Sequence, residues 1–171
     1  MSVSYEAPSD EFLSALGALT LNWASIEAAV DFTITMIFHE YPYDKMGPVP
    51  QNLGNKLTFI RKGLRDPRLA AIRAPALCLC RDISSHKNDR NSIVHGAILG
   101  APNGDTIDSL RIRYTDRGHS ISVHTVTTAQ IEGYCAAALP LSDRATAFSI
   151  RIFNMTRPED VIDYPLGEFA D

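Results

Sequence analysis

The stretch FLSALGALTLNWASIEAAVDFTITMIF, residues 12–38, decides the fold class. Most of its large apolar side chains recur at intervals of three or four positions, which is the period of an α-helix with one buried face. These side chains are Phe12, Leu13, Leu16, Leu19, Trp23, Ile26, Val30, Ile34, Ile37 and Phe38. Ser9 and Asp10 come directly before the stretch and suit the start of a helix. The pattern predicts a first helix of about 30 residues in a mainly α-helical protein.

Two further helices are predicted before residue 97. The segment EYPYDKMGPVP, residues 40–50, ends the first helix, because three prolines and a glycine cannot continue it. LGNKLTFIRKGLR, residues 53–65, fits a second helix. Its apolar stripe consists of Leu53, Leu57, Ile60 and Leu64. A third helix is predicted from about Pro67 to His95, with Gly96 as its stop and Pro75 as a candidate kink.

The apolar pattern changes from the helical period to alternation after residue 96. AILGA, SLRIRYT and SISVHTV alternate, and the turn sequences PNGD and DRGH separate them. These segments predict a small antiparallel β-meander over about residues 97–126. Thr127 or Thr128 can cap a last helix that reaches residue 155, with a bend expected at Pro140. The tail from Arg157 is expected to be irregular.

Length and composition fit one domain. The chain has 171 residues, of which 45% are apolar, and this is enough for one compact domain with a buried core. The expected architecture is therefore a single domain over residues 1–171. It is a four-helix up-down bundle with the β-meander inserted between the third and fourth helices.

Charge is distributed unevenly along the chain. The net charge of −4 argues against a protein that coats nucleic acid non-specifically, because such binding needs a dominant positive field. Residues 1–45 carry seven acidic side chains against Lys45 alone, whereas residues 56–90 carry nine basic side chains against three acidic ones. The middle third is thus a candidate anion-binding surface. The alternative is a solvated face whose charges pair with the acidic first helix.

Several functional classes are disfavoured by what the sequence lacks. The three cysteines, an odd number, and the missing signal segment fit a reduced, cytoplasmic protein. Apolar stretches are interrupted by charges before they reach the roughly 20 residues of a membrane span, so no membrane association is expected. Motifs of the C-x-x-C and H-E-x-x-H kinds and phosphate-binding glycine loops are missing, so neither a metal nor another cofactor is expected.

The segment NDRNSIVHG, residues 88–96, concentrates polar side chains at the end of the third predicted helix. On a helical projection, one polar edge comprises Ser84, Lys87, Asn91 and His95. Arg90 instead projects with Leu79, Ile83, Ile93 and Ala97, on the side that should face the core. A guanidinium buried there needs a partner. That partner is a carboxylate, with Glu27 and Asp31 as candidates, a neighbouring subunit, or a phosphate.

RNSIVHG resembles the R-x-x-x-x-H signature of the HEPN superfamily of small α-helical proteins, in which Asn often follows the Arg. LNWASIEAAVDFTI, residues 21–34, resembles the first helix of that family. The likeness covers roughly residues 12–97 and the last helix. It implies a metal-independent endoribonuclease or a degenerate relative, usually a homodimer with two motifs in one cleft. Members of the family that are silenced by nucleotidyl transfer carry Tyr two positions after the His. This chain has Ala97 at that position, so the resemblance does not imply this mode of control.

The chemistry of the residue types agrees with this implication. Histidine titrates near neutrality, so His95 can exchange protons with a ribose hydroxyl or a leaving oxygen. The planar donors of Arg90 can stabilise the charge on a phosphate in the transition state. Asn91 could orient the imidazole or hold a phosphate oxygen. Substrate contacts are assigned to Arg81, His86 and Lys87, and supporting roles to Glu27 and Asp31.

Two functional hypotheses follow. The first is a ribonuclease of the hydrolase class that cleaves single-stranded RNA and serves as a toxin or phage-defence effector, with an antitoxin or regulatory protein as a further partner. The second is a non-catalytic dimeric scaffold that binds RNA or protein, in which the β-insert binds a partner. In that case Arg90 forms an interhelix salt bridge with Glu27, and His95 is a helix-terminal residue that interacts favourably with the helix dipole.

Overall fold

The computed structural model describes residues 7–40, 47–94, 97–116 and 118–164. Within them the helices are α1 (Asp10–Glu40), α2 (Leu53–Gly63), a 3₁₀ helix (Pro67–Ile72), α3 (Arg73–Val94) and α4 (Thr128–Thr156). Between α3 and α4 lie the strands β1 (Ala97–Asn103), β2 (Thr106–Thr115) and β3 (Gly118–Thr127). A mainly helical protein with four α-helices and a small antiparallel sheet between the last two is therefore confirmed for the described residues.

The helix starts follow the predicted capping chemistry. Ser9 Oγ accepts the backbone N–H of Phe12 at 3.1 Å and caps α1. At the start of α4, Thr127 Oγ1 accepts the N–H of Gln130, while Gln130 Oε1 accepts the N–H of Thr127. This reciprocal capping box satisfies two backbone donors that have no partner inside a helix. Thr127 is thus the cap of the last helix and also the last residue of β3.

The third helix begins later than the sequence suggests. Residues Pro67–Ile72 form a 3₁₀ helix, and α3 starts only at Arg73, so Pro75 lies in its first turn. Proline has no N–H to donate to the carbonyl of residue 71, and its ring would clash with that carbonyl in an α-helix. The prediction of one helix from Pro67 with a kink at Pro75 is therefore wrong. The proline helps to set the start of α3.

The sheet is a meander in the order β1-β2-β3. Strands β2 and β3 pair without interruption from Thr106↔Thr127 to Thr115↔Gly118. The pairing of β1 with β2 is irregular, with register shifts on both sides of Gly100. At the β2–β3 turn, Gly118 has a φ of +136°, a conformation that favours glycine. The predicted turn PNGD therefore lies where β1 reverses into β2. The described residues of DRGH, Asp116, Gly118 and His119, lie at the reversal between β2 and β3, and Arg117 lies outside the described residues.

The chain divides into two compact units. Unit 1 comprises the described residues up to Trp23 together with His86–Ala138, and unit 2 comprises Ala24–Ser85 and the described residues from Leu139 onward. Helices α1, α3 and α4 each contribute to both units. The expectation of one domain over residues 1–171 stays a prediction.

Each unit buries its own set of apolar side chains. Those of unit 1 include Phe12, Leu19, Trp23, Ile107, Val126 and Ile131. Those of unit 2 include Ile26, Leu57, Ile60, Ile83, Leu141 and Ile152. Unit 2 also contains a small apolar cavity of about 10 Å³, lined among others by Val30, Leu79, Cys80 and Phe148. A space of this size holds at most one water molecule.

Helix α1 is long and apolar enough to cross a membrane, judged by length and composition alone. Only 28% of its most apolar window is buried in the protein. A buried core helix passes the same test, and seven large side chains along α1, from Phe12 to Ile37, are almost inaccessible to solvent. The expectations of a cytoplasmic location and of no membrane association stay predictions.

Candidate functional site

Arg90 and Asn91 lie next to each other near the end of α3 and are joined by a hydrogen bond. Nη1 of Arg90 donates to Oδ1 of Asn91 at 3.0 Å. Both side chains are half-buried, and the Nε of Arg90 is shielded from solvent. Because the carbonyl oxygen of Asn91 accepts from the guanidinium, its amide nitrogen is left as the donor side. Asn91 therefore orients Arg90 and can still donate to an anion.

The predicted proton-transfer residue, His95, lies outside the described residues, as does the predicted helix stop, Gly96. Helix α3 is described as far as Val94. Asn91 precedes His95 by four positions in the sequence, and Arg90 precedes it by five. The predicted convergence of the guanidinium and the imidazole in one pocket stays a prediction.

His86 and Lys87 lie about one turn before Arg90 on the same helix. His86 Nδ1 is 3.8 Å from Asp89 Oδ2, and both side chains are partly exposed. Lys87 is half-buried. Residues four apart on a helix are neighbours on its surface, so His86 and Arg90 share one face. The structure thus brings His86, Lys87, Arg90 and Asn91 into a short segment, which we call the motif segment (residues 86–94).

Arg81, the other predicted substrate ligand, belongs to unit 2, whereas the motif segment belongs to unit 1. Its Nε contacts Asp82 Oδ1 at 3.3 Å, and its Nη2 lies 3.1 Å from the sulfur of Cys78. The side chain is otherwise largely exposed. The interactions described for Arg81 are thus with its own helical neighbours.

Asp82 is the centre of a charged cluster that the sequence analysis missed. Its Oδ2 accepts from Nη1 of Arg144 on α4 at 3.0 Å and lies 3.6 Å from the sulfur of Cys78. Burial raises the pKa of the Asp82 carboxyl, but the hydrogen bonds from Arg144 and Arg81 outweigh it, so the pKa falls below 3.8. The only local sequence signal is the spacing of four between Cys78 and Asp82. Nothing in that spacing points to Arg144.

The carboxylates proposed to support Arg90 lie on α1, in unit 2. Asp31 forms an ion pair with Lys56 on α2 at 2.5 Å. Glu27 is half-buried. The partner described for Asp31 is therefore Lys56 and not Arg90, and this carboxylate contributes to the packing of α1 against α2.

The remaining candidate side chains are scattered. Cys80 is buried, and its burial raises the pKa of the thiol to about 11, as expected of a small core residue. Cys78 is half-buried. His39 closes α1 with its ring edge-on to Phe38. Over residues 7–40, 47–94, 97–116 and 118–164, no group of three His, Cys, Asp or Glu side chains is arranged to hold a metal ion.

No protein-family model, curated protein or solved structure matches this chain.

Proposed function

We propose that this protein is a metal-independent endoribonuclease of the HEPN type that cleaves single-stranded RNA. The observation that carries the proposal is the half-buried guanidinium of Arg90, held by Asn91 near the end of α3. Arg90 comes five positions before His95 in the sequence. An arginine oriented in this way presents several donors to a phosphate at fixed angles. The proposal includes an up-down arrangement of the four helices.

The proposed reaction uses the RNA's own nucleophile. The 2′-hydroxyl loses its proton and attacks the adjacent phosphorus, so the bond from O2′ to phosphorus forms and the bond to O5′ breaks. His95 transfers the protons, and Arg90 stabilises the negative charge that develops on the phosphate oxygens. The amide nitrogen of Asn91 donates to one of those oxygens. The products are a 2′,3′-cyclic phosphate and a 5′-hydroxyl.

Each chain supplies one His95, whereas general acid and general base act on opposite sides of the phosphorus. We therefore propose a homodimer in which two motif segments form one cleft. Lys87 adds positive charge beside Arg90, and both Lys87 and His86 fit contacts with the RNA backbone. In this proposal the protein acts in the cytoplasm as a toxin or phage-defence effector, under control of an antitoxin or regulatory protein.

The second candidate is a non-catalytic dimeric scaffold. It is favoured by one observation, the exposure of apolar side chains on the inserted sheet. Ile121 is 59% exposed and Val123 is 54% exposed, which is unusual for neighbouring β-branched residues on one strand face. An exposed apolar surface of this kind can bind a partner protein but carries no group for catalysis.

Cleavage of total RNA with and without EDTA tests the first proposal. The wild-type protein should cut in the presence of the chelator and leave cyclic phosphate ends. Arg90→Ala and His95→Ala should each abolish cleavage, whereas Arg157→Ala serves as a control, because Arg157 is an exposed arginine that pairs with Glu40 in unit 2. A folded wild-type protein that leaves RNA intact would favour the scaffold. Equal activity in all four proteins would rule out Arg90 and His95 as the catalytic residues.

A further inference from the structure

The two edges of the inserted sheet differ in how they are protected. Strand β1 carries register shifts around Gly100, and Pro102 cannot donate a backbone hydrogen bond. Bulges and prolines of this kind prevent a sheet edge from pairing with another strand. Strand β3 is the opposite edge and pairs regularly with β2 over its whole length. Its sequence, GHSISVHTVT, contains no proline and no Asp, Glu, Lys or Arg.

Strand β3 is also exposed on both faces over most of its length. From Gly118 to Thr125, every residue except Ser122 is classed as exposed. On one face, Ile121 lies opposite Ile112 of β2, and Val123 lies opposite Leu110. Ile112, Ile121 and Val123 are 45%, 59% and 54% exposed. A regular, uncharged edge strand with an apolar face is the surface that another strand would extend.

We propose that β3 pairs antiparallel with β3 of a second copy of this chain and forms a continuous six-stranded sheet across a two-fold axis. A second copy is the favoured occupant because β3 is self-complementary. With Ser122 opposite its own symmetry mate, Ile121 meets Val123 of the other copy and Ser120 meets His124. Apolar residues then face apolar residues on one side of the sheet, and small polar residues and histidines face each other on the other side.

Shifting this register by two residues places one of the two apolar side chains opposite a polar residue. Centring the pair on Val123 would place Ile121 opposite Thr125, and centring it on Ile121 would place Val123 opposite His119. Only the arrangement centred on Ser122 pairs both apolar side chains with apolar partners. It also brings no like charges together, because β3 has no Asp, Glu, Lys or Arg.

The expected affinity is modest. Two paired strands and one apolar face bury less than the roughly 1,200 Å² of a standard stable interface. Self-association should therefore appear in the micromolar range and above. The β3 interface is separate from the motif-segment cleft of the proposed nuclease, so Arg90→Ala should leave it unchanged.

Analytical ultracentrifugation of the full chain from about 1 to about 200 µM tests the proposal. The variants Ser122→Glu and Ser122→Lys place like charges opposite each other at the two-fold axis. Each should weaken self-association about fivefold or more, while an equimolar mixture of the two should recover it as a heterodimer. Ser120→Glu and Ser120→Lys are matched controls, because in this register residue 120 faces His124 and not itself. Circular dichroism establishes that each variant folds.

Three outcomes would overturn the proposal. The first is a wild-type protein that stays monomeric throughout this range. The second is a dimer that both Ser122 variants leave unchanged, which would place the interface elsewhere, such as on the motif segment. The third is an equal loss in the Ser120 and Ser122 variants without recovery on mixing. RNA cleavage measured on the same proteins keeps these results separate from the fate of the nuclease proposal.

Discussion

The two parts of α3 use polar side chains differently. In its first part, residues 73–85, polar groups bond to other helices: Arg61 of α2 donates to the carbonyl of Cys80 and to Ser84, and Asp82 pairs with Arg144 of α4. In the motif segment, the bonds described here join near neighbours, as between Arg90 and Asn91. The first pattern stabilises packing between helices. The second holds one guanidinium in place, as binding an anion requires.

The largest effect that would test this difference between the two parts of α3 is a change in the rate of RNA cleavage. Arg90→Lys keeps the positive charge but loses the planar set of donors. If the motif segment is catalytic, RNA cleavage should fall about 100- to 10,000-fold, while the free energy of unfolding changes by less than about 1 kcal/mol. Single-turnover cleavage and urea denaturation of the same protein measure the two quantities. A large loss of stability with unchanged cleavage per folded molecule would show that Arg90 is structural.

The next effect concerns the first part of α3. Leu79 is 5% exposed and lines the small cavity of unit 2, whereas Leu77, two residues away, is 40% exposed. Leu79→Ala should lower the free energy of unfolding by about 2–4 kcal/mol, because it enlarges a cavity that cannot collapse completely. Leu77→Ala, the same substitution on the same helix, should cost about 0.5 kcal/mol or less. Similar losses in the two variants would contradict the burial pattern.

A smaller effect is expected for the ion pair between α3 and α4. Asp82→Asn removes the negative charge between Arg81 and Arg144. Both arginines are partly exposed, so solvent screens the interaction and the loss of stability should be about 1 kcal/mol. RNA cleavage should be unaffected, since Asp82 lies outside the motif segment. A loss of RNA cleavage at unchanged stability would indicate that the functional surface includes the region around Arg81.

The smallest effect is the pH dependence of that ion pair. The pKa of Asp82 in the folded protein lies below 3.8, so the folded carboxylate stays charged after the unfolded one has taken up a proton. Its stabilising contribution is therefore complete above about pH 5 and is lost as the pH falls through the folded pKa. The stability difference between the wild type and Asp82→Asn should shrink over this range. A difference that persists at an acid pH where the folded carboxyl is also protonated would point to a steric cause.

Local features of the fold were predictable from the sequence because their signals span only a few residues. Ser9 and Thr127 cap helices as expected, PNGD lies at the reversal between β1 and β2, and Gly118 lies at the reversal between β2 and β3. Pro75 misled the prediction, because a proline in a helical pattern is equally compatible with a kink and with a first turn. The 3₁₀ conformation of residues 67–72 decides between them.

Pairing of basic residues with the acidic first helix was one of the two alternatives, but the specific partners on different helices could not be predicted. Asp31 pairs with Lys56, and Asp82 with Arg144, although each partner lies on another helix and many other charges would have served as well. The bond between Arg90 and Asn91 was also missed, since a helical projection gives the direction of each Cβ and not the reach of a long side chain. The projection had placed the two residues on different faces.

The turn between β1 and β2 accepts backbone hydrogen bonds from the starts of α1 and α4. Ser9, the cap of α1, donates its backbone N–H to the carbonyl of Gly104 at 2.7 Å, and Thr128, the first residue of α4, donates to the carbonyl of Asp105 at 3.0 Å. The β1–β2 hairpin is therefore not a dispensable insertion, because it holds the starts of both α1 and α4 by hydrogen bonds. A minimal version of the protein made by cutting out residues 97–126 would release both helix ends at once, so the insert cannot be trimmed as a spare loop.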